Sequence, residues 1–459
     1  MNGRFTIKIL AAAVCLLTAL ALTGCATSEA VSSGKDFGEI MYAVKCDLFG
    51  ADEQSCTVLE MHLPIREGFT PIGSKSAFAS LRDETMKEAY REIERAIFQI
   101  SSDRADNGCF ELKYARLKSS LAFDDIYIVK EAVIADHPEA FWVMSNYTVK
   151  NNFHDGNYLV LYSKYSADEL TEMFVELKNA IVPILQQIPD DANELSRELI
   201  IHDALIDAVS YDFDAAEADD SSLDAFNVYG ALVKHKAVCT GYAGAAKMLY
   251  NLVGIECRTA VGMSKNTGHM WNQVRIDGDW YNLDVTWDDS AADSDILYSR
   301  YNYFNLTDER LARNHKTGEN YSQMVCEYTE DEVYVTSDLY NFDLEECTAT
   351  KSNYYEMNAL HLSELNDASV DRITAKFIST AQEGQEIIYI LFDESIDGEE
   401  AETWMSKNVG NKYSALGRSI SSANKSGKTK KIKNCSLVRM SSGEDDIWTN
   451  LYAVRLIFA

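Results

Sequence analysis

The chain has 459 residues, 46% of them apolar and 11% aromatic, with 42 Lys+Arg against 72 Asp+Glu and a formal charge of −30. That length and apolar content allow two or three domains, each with its own core, and exclude a disordered or collagenous chain. An acidic balance of this size repels phosphate backbones and anionic lipid alike, so no nucleic-acid partner is expected. Ten cysteines are too dilute for a disulfide scaffold.

Arg4 and Lys8 precede an apolar run from Ile9 to Leu22, the layout of a secretory signal peptide. As a helix the run spans about 21 Å, short of the roughly 30 Å hydrocarbon core. It ends in Leu22-Thr23-Gly24-Cys25, which resembles the lipobox of bacterial lipoproteins. The resemblance implies cleavage of residues 1–24, a diacylglycerol on Cys25 and a polar tether over 25–35. Removal takes Arg4 and Lys8 and no acid, moving the formal charge from −30 to −32. The expected location is therefore outside the cytoplasm, anchored by lipid to the outer face of the bacterial cytoplasmic membrane or another envelope membrane.

A mixed α+β region is expected over 36–165. In it a helix from about Phe78 to Ile100 buries Met86, Ala89, Tyr90, Ile93, Ala96, Ile97 and Ile100 at helical spacing. Ser166-Ala167-Asp168-Glu169 reads as a capping box opening a helix to about Val182, before Pro183, and a further helix is expected over Asp191 to Ala208. The acidic loop Asp212, Asp214, Asp219, Asp220 invites a calcium reading, but Ala216 and Glu217 stand where an EF-hand needs a ligand and its turning Gly. Residues 166–329 are expected to form the core. Residues 330–459 are expected to form a small α/β domain, with an apolar strand at Ile387–Phe392 and a basic loop between strands at Lys425, Lys428, Lys430, Lys431 and Lys433.

Two stretches bear chemistry. Tyr242 to Val253 has helix-forming composition and Gly254 as its stop, so Cys239 falls at a helix N-terminus. There the unpaired N–H groups and the positive end of the macrodipole favour a thiolate, the nucleophile that acyl chemistry needs. Downstream, Asp277-Gly278 between alternating runs predicts a two-residue hairpin. Closure there pairs Ile276 with Asp279, Val274 with Tyr281, Asn272 with Leu283 and Met270 with Val285 on a core face. It leaves His269, Trp271, Gln273 and Arg275 opposite Trp280, Asn282, Asp284 and Thr286. His269 and Asp284 are then diagonal neighbours at roughly 7–8 Å between Cα atoms, close enough for the carboxylate to hold the imidazole. Cys239, His269 and Asp284 form a nucleophile, base and orienter in chain order. Zinc held by His235, Cys239 and His269 is the competing reading of these residues; no metal and no cofactor is expected.

The motifs Ala237-Val238-Cys239-x-Gly241-Tyr242-Ala243, His269-x-Trp271-Asn272 and Trp280-Tyr281-x-x-Asp284-Val285-Thr286-Trp287-Asp288 resemble the transglutaminase-like superfamily in its bacterial, papain-type branch. Asp136-His137-Pro138-Glu139-x-Phe141-Trp142, Tyr229-Gly230-Ala231-Leu232 and Tyr303-Phe304-Asn305-Leu306 extend the likeness over about residues 78 to 320. Ala237 departs from the Gly of many relatives but stays small. The resemblance implies a transglutaminase-like core of helices packed on an antiparallel sheet, with Cys239, His269 and Asp284 catalytic. Tyr229 is a candidate oxyanion donor and Trp271 a candidate wall of the site. The expected activity is that of a cysteine peptidase or amidase on protein or peptide substrates, cell-wall peptide among them. The alternatives are a cross-linking transglutaminase, including a calcium-gated one drawing on Asp212 and Asp288, and a catalytically silent surface binding module.

Overall fold

The computed structural model describes residues 37–42, 56–73, 75–105, 107–118, 120–152, 156–218, 220–265, 267–290, 300–318, 325–328, 332–336, 341–406, 413–440 and 447–459. The signal segment 1–24, Cys25 and the tether 25–35 lie outside them, as does Asp219. Among the described residues no helix is long and apolar enough to cross a membrane. The chain divides into two units, one within Met1–Thr259 and Asn320–Asp343, the other within Ala260–Glu319 and Leu344–Ala459. This division falls inside the stretch 166–329 expected as one core, and the segment 330–459 contributes to both units.

The first unit is α+β. Its antiparallel sheet runs in the order Val325–Tyr328, Glu332–Thr336, Tyr147–Asn152, Gly156–Ser163, Phe110–Leu112, Gln99–Arg104, Cys56–Val58, with Ala115–Leu117 also on Gly156–Ser163. The expected helix over 78–100 is shorter, Glu84–Ala96, because Asp83 caps it, its carboxylate accepting from Thr85 N (2.9 Å) and Met86 N (3.1 Å). Its buried face is the expected one: Met86, Ala89, Tyr90, Ile93 and Ala96. Ile100 instead lies on the strand Gln99–Arg104. The capping box is formed, with Ser166 Oγ accepting from Glu169 N and Glu169 from Ser166 N. That helix, Ala167–Gln186, runs past Pro183. Proline costs it one backbone bond, but Ile181, Ile184 and Leu185 are buried on either side of the break, and their burial outweighs the loss. Asn193 caps the next helix, Glu194–Ala208.

In the second unit an antiparallel ribbon, Thr267–Ile276 with Asp279–Leu283, sits in a sheet with Cys257–Ser264 and His315–Thr317. A further sheet runs Leu360–Leu362, Ile387–Phe392, Leu451–Phe458, Ile432–Arg439, the first pair parallel and the rest antiparallel. Helices Asp367–Gln382, Gly398–Ser406 and Ala415–Ser426 cover it over a core that includes Ile373, Phe377, Ile388, Ile390 and Leu456. The basic residues around Lys428 link a helix to a strand rather than two strands. Ser414 caps the helix Ala415–Ser426, and Gly427, at φ +63, ends it in the left-handed conformation glycine favours. A second core joins Trp271, Tyr303, Leu306 and Leu311 to Tyr355, Leu391, Trp448 and Leu451. The sheet expected as a separate C-terminal domain thus shares its packing with the ribbon.

The Asp136-His137-Pro138-Glu139 motif is structural. Asp136 accepts from Ala77 N (3.1 Å), Phe78 N (2.9 Å) and Tyr90 Oη (3.0 Å). His137 is buried between two carboxylates, Nδ1 to Glu139 at 2.7 Å and Nε2 to Glu94 at 3.0 Å, and Lys75 reaches Glu94 at 2.6 Å. Burial opposes the charge on His137, but the two glutamates outweigh it and push the imidazole up to about 10. Burial likewise opposes ionisation of Glu94, and His137 with Lys75 reverses this, holding it down at about 2. His137 therefore contributes fully below its ordinary value of 6.5 and loses that contribution as pH rises through about 10. Glu94 contributes fully above its ordinary 4.5 and loses it as pH falls through about 2. Urea unfolding is expected to show a plateau between these ordinary values with decline on both sides. His137→Gln removes the alkaline decline and costs about 3–5 kcal/mol at neutral pH; an unchanged pH profile would contradict this.

Candidate active site

Cys239 opens the helix Cys239–Leu252 in the first unit. The two residues before Val238, Lys236 and Ala237, pair in parallel with Ser210 and Tyr211, and Val238 N donates to Ala225 O at 2.9 Å. Val238 is the N-cap, extended at φ −95° and ψ 179°, and no side chain caps the helix. No side-chain oxygen competes for the first-turn amides, of which Gly241 N donates to Val238 O at 3.0 Å. Gly241 is required by packing: a Cβ there would lie 2.6 Å from Ala225 O and 2.9 Å from Ala237 Cβ. The helix is buried on all sides, by Tyr242, Ala245, Ala246, Met248, Leu249 and Leu252 among others, and Lys247 is neutralised inside by Asp136 at 3.9 Å. Gly254, at φ +79, stops it as expected. Cys239 itself is partly exposed and is a free thiol.

Tyr229 precedes the π-helical turn Gly230–Lys234. Its hydroxyl donates to the Glu176 carboxylate and its ring stacks on Phe141 at 5.1 Å. Burial first, then that carboxylate, pushes the phenol well above its ordinary range. The proton expected to serve an oxyanion is therefore given to Glu176. His235 is exposed, in the left-handed conformation at φ 58°. The acids of the calcium reading have local duties. Asp212 accepts from Ala215 N at 3.1 Å, Asp220 from Ser222 N at 3.0 Å, and Asp288 from Tyr303 N at 2.8 Å.

In the second unit the hairpin closes at Asp277 (φ 49°) and Gly278 (φ 90°), with Ile276 opposite Asp279, Val274 opposite Tyr281 and Asn272 opposite Leu283. The ladder stops there. Asp284 N donates to Tyr303 O at 3.1 Å instead of continuing the strand, and Val285–Ser290 is a helix whose Trp287 N donates to Asp284 Oδ1 at 3.1 Å. Asp284 is both the end of a strand and a helix cap, so the expected Met270–Val285 pair and the direct opposition of Trp271 and Asp284 do not form. The imidazole still reaches the acid: His269 Nε2 lies 2.7 Å from Asp284 Oδ2, and both residues are buried.

The ribbon's second face is also largely covered, with Arg275 exposed. Gln273 donates to Glu345 O at 2.9 Å and accepts from Glu345 N at 2.8 Å, and Asn282 Nδ2 donates to Asp308 at 2.7 Å. Trp271 is 1% exposed, stacks on His269 with 6.1 Å between centroids, and donates its indole N–H to Asn282 at 3.4 Å. Gly262 makes room for it, since a Cβ there would lie 2.9 Å from the indole.

His315 is a site residue that the sequence motifs did not reveal. Its strand, His315–Thr317, pairs with Gly262–Ser264, which brings His315 Nε2 to 3.1 Å from the same Asp284 Oδ2. Burial opposes ionisation of Asp284, but the charge and hydrogen bonds of His269, followed by those of His315, hold its carboxyl well below the usual carboxylate range. Donor atoms of His269, Asp284 and His315 lie within 4.8 Å of one another. The 2.7 Å spacing is that of a charge-assisted N–H···O bond and the 3.1 Å one that of an ordinary bond; an ionised Asp284 accepts in both, and a metal ion in this group would replace those two hydrogen bonds.

Residues 184–285 match the model of the transglutaminase-like superfamily, a segment that contains Cys239, His269 and Asp284 and ends thirty residues before His315. The chain is 32% identical over 95 residues to kyphoscoliosis peptidase of Homo sapiens, covering 18% of this chain and 14% of that protein. It is 28% identical over 133 residues to the Mus musculus kyphoscoliosis peptidase, covering 26% and 20%. It thus spans a seventh to a fifth of the length of these relatives. A solved structure described as a TGase superposes with a TM-score of 0.23 at 15% identity, over 38% of this chain and 50% of that one.

Asp284→Ala leaves two buried imidazoles and the Trp287 amide without their acceptor. A loss of about 3–5 kcal/mol in urea unfolding is expected; a change under about 1 kcal/mol would show that the carboxylate is not the anchor described.

Proposed function

From the match of residues 184–285 to the transglutaminase-like superfamily, we propose that the protein is a thiol-dependent acyl-transfer enzyme acting on peptide or carboxamide bonds, as a cysteine peptidase or amidase. The observation that supports this best is the buried His269–Asp284 hydrogen bond at 2.7 Å. It commits Nε2–H to the acid and leaves the basic lone pair of the imidazole on Nδ1.

In this mechanism His269 Nδ1 takes the Cys239 proton. The sulfur adds to the carbonyl carbon, and amide groups of the first helical turn, that of Cys239 among them, receive the oxyanion. Collapse breaks the C–N bond, and the proton held by His269 goes to the leaving amine. Water then attacks the thioester, giving a proton to His269, and departure of the sulfur releases the carboxylic acid. Asp284 fixes the tautomer and stabilises the imidazolium, and Trp271, stacked on the ring, keeps it in plane. The peptidase names of the human and mouse relatives favour hydrolysis over cross-linking. A lysine amine in place of water would give the transglutaminase outcome from the same thioester. Export, and anchoring to the envelope through a diacylglycerol on Cys25, are the proposed setting, with protein or cell-wall peptide as substrate.

A thiol-directed peptide probe is expected to label wild-type protein and not Cys239→Ala, and His269→Ala is expected to slow labelling about 10²–10⁴-fold. Labelling that persists in Cys239→Ala, or a wild type that never labels, would defeat the enzyme reading and favour a silent binding module.

A further inference from the structure

The second unit holds a cleft of about 510 Å³ that is lined by none of His269, Trp271, Asp284 or His315, and its volume is that of a small-molecule site. It lies at the carboxyl ends of two parallel strands, Leu360–Leu362 and Ile387–Phe392, which the helix Asp367–Gln382 joins as a crossover. That end of a parallel pair is where α/β sheets hold ligands. Arg310 forms one wall. Its side chain is 20% exposed, its guanidinium lies over the Trp448 ring at 4.0 Å, and Nη1 donates to Ile447 O at 3.0 Å. Trp448 is itself buried and tied through its indole N–H to Asn302 O at 2.9 Å, so the guanidinium is held in place. Its carboxylate partner, Glu394, stands off at 3.7 Å and is shared with Arg313 at 3.3 Å. Among the described residues Nε and Nη2 of Arg310 therefore have no acceptor at hydrogen-bond distance. A second guanidinium lines the cleft, that of Arg372 on the crossover helix; its side chain is exposed and makes no ion pair or hydrogen bond among the described residues.

We propose that this cleft binds a small zwitterion, an amino acid or short peptide with both termini free, whose carboxylate is taken by Arg310 and Arg372. The fork of a guanidinium matches a carboxylate. The remaining charges of the lining decide against a simple anion. Glu356, Asp393 and Glu394 stand there too, three carboxylates against two guanidinium groups. They repel a phosphate, with its greater charge, more than a carboxylate, and they attract an ammonium. Glu394 is engaged by the arginines, and Asp393 Oδ1 accepts from Ser395 N at 2.9 Å and Ser395 Oγ at 2.6 Å. Asp393 Oδ2 and the Glu356 carboxylate, with His361 Nε2 3.8 Å from the latter, are left to receive the ammonium. The proposal stands apart from the acyl-transfer reading.

The test is a titration of the full chain, both wild type and Cys239→Ala so that no probe is consumed, followed by the ¹H–¹⁵N signal of the Trp448 indole. Alanyl-alanine is expected to shift that signal and to saturate below about 10 mM. Alanyl-alaninamide, N-acetylalanyl-alanine, acetate and inorganic phosphate are each expected to bind at least about tenfold more weakly. Arg372→Gln, at an exposed side chain without partners among the described residues, is expected to keep the fold, to weaken alanyl-alanine at least about tenfold and to leave the amide unchanged. The proposal is overturned by the lack of a saturable shift, by an amide or N-acetyl form that binds as tightly as the free dipeptide, by phosphate binding more tightly than it, or by an Arg372→Gln chain that binds it unchanged. None of these titrations needs turnover, so a Cys239 that fails to label would count against the acyl-transfer reading alone.

Discussion

One carboxylate organises the second unit's chemistry. Asp284 ends a strand, caps the helix that follows and accepts from two buried imidazoles, with Oδ1 given to the Trp287 amide and Oδ2 to His269 and His315. A buried charge survives only when it is fully partnered, and here those partners are the groups whose orientation matters. Trp271, Gln273 and Asn282 are buried around it, so the ribbon has little freedom to tilt His269 away. The cost of ordering these side chains is met by packing on the aromatic core of Tyr303, Tyr355 and Trp448.

The surroundings of Cys239, the proposed nucleophile, follow a different logic. Cys239 is placed by backbone rather than by side chains. A two-residue strand pairing, the Val238 amide on Ala225 O and a glycine pressed against two carbonyls fix where the helix begins. A valine at the N-cap offers no side-chain oxygen to the first turn, although its carbonyl takes the Gly241 amide at 3.0 Å. That is an unfavourable choice for stability alone, and a sensible one where the first-turn amides have an anion to receive. The inward-facing Lys247–Asp136 pair fixes the rotation of the same helix from its far side.

Much of this was legible in the sequence because the signals are local. Asp277-Gly278 set the hairpin and three of its pairings, Ser166 with Glu169 announced a helix start, and Met86 to Ala96 marked a buried face at helical spacing. What escaped depends on distant parts of the chain. His315 lies in a strand of three residues whose partner, Gly262–Ser264, is some fifty positions earlier; no periodicity marks so short a strand. The burial of Gln273 and Asn282 depends on Glu345 and Asp308, which alternation within the ribbon cannot reveal. Pro183 reads as a stop, yet packing of Ile184 and Leu185 carries the helix past it. The hydroxyl of Tyr229 could be assigned only once Glu176 was seen beside it.

The most direct test of the central claim is capture of the acyl-enzyme. Wild-type protein mixed with an activated peptide ester, quenched in acid and digested, is expected to show the acyl group as a thioester on the Cys239 peptide. In His269→Ala the rate at which it forms is expected to fall at least about 100-fold. An acyl group found on another residue, or one that accumulates on Cys239 equally fast without His269, would contradict the account.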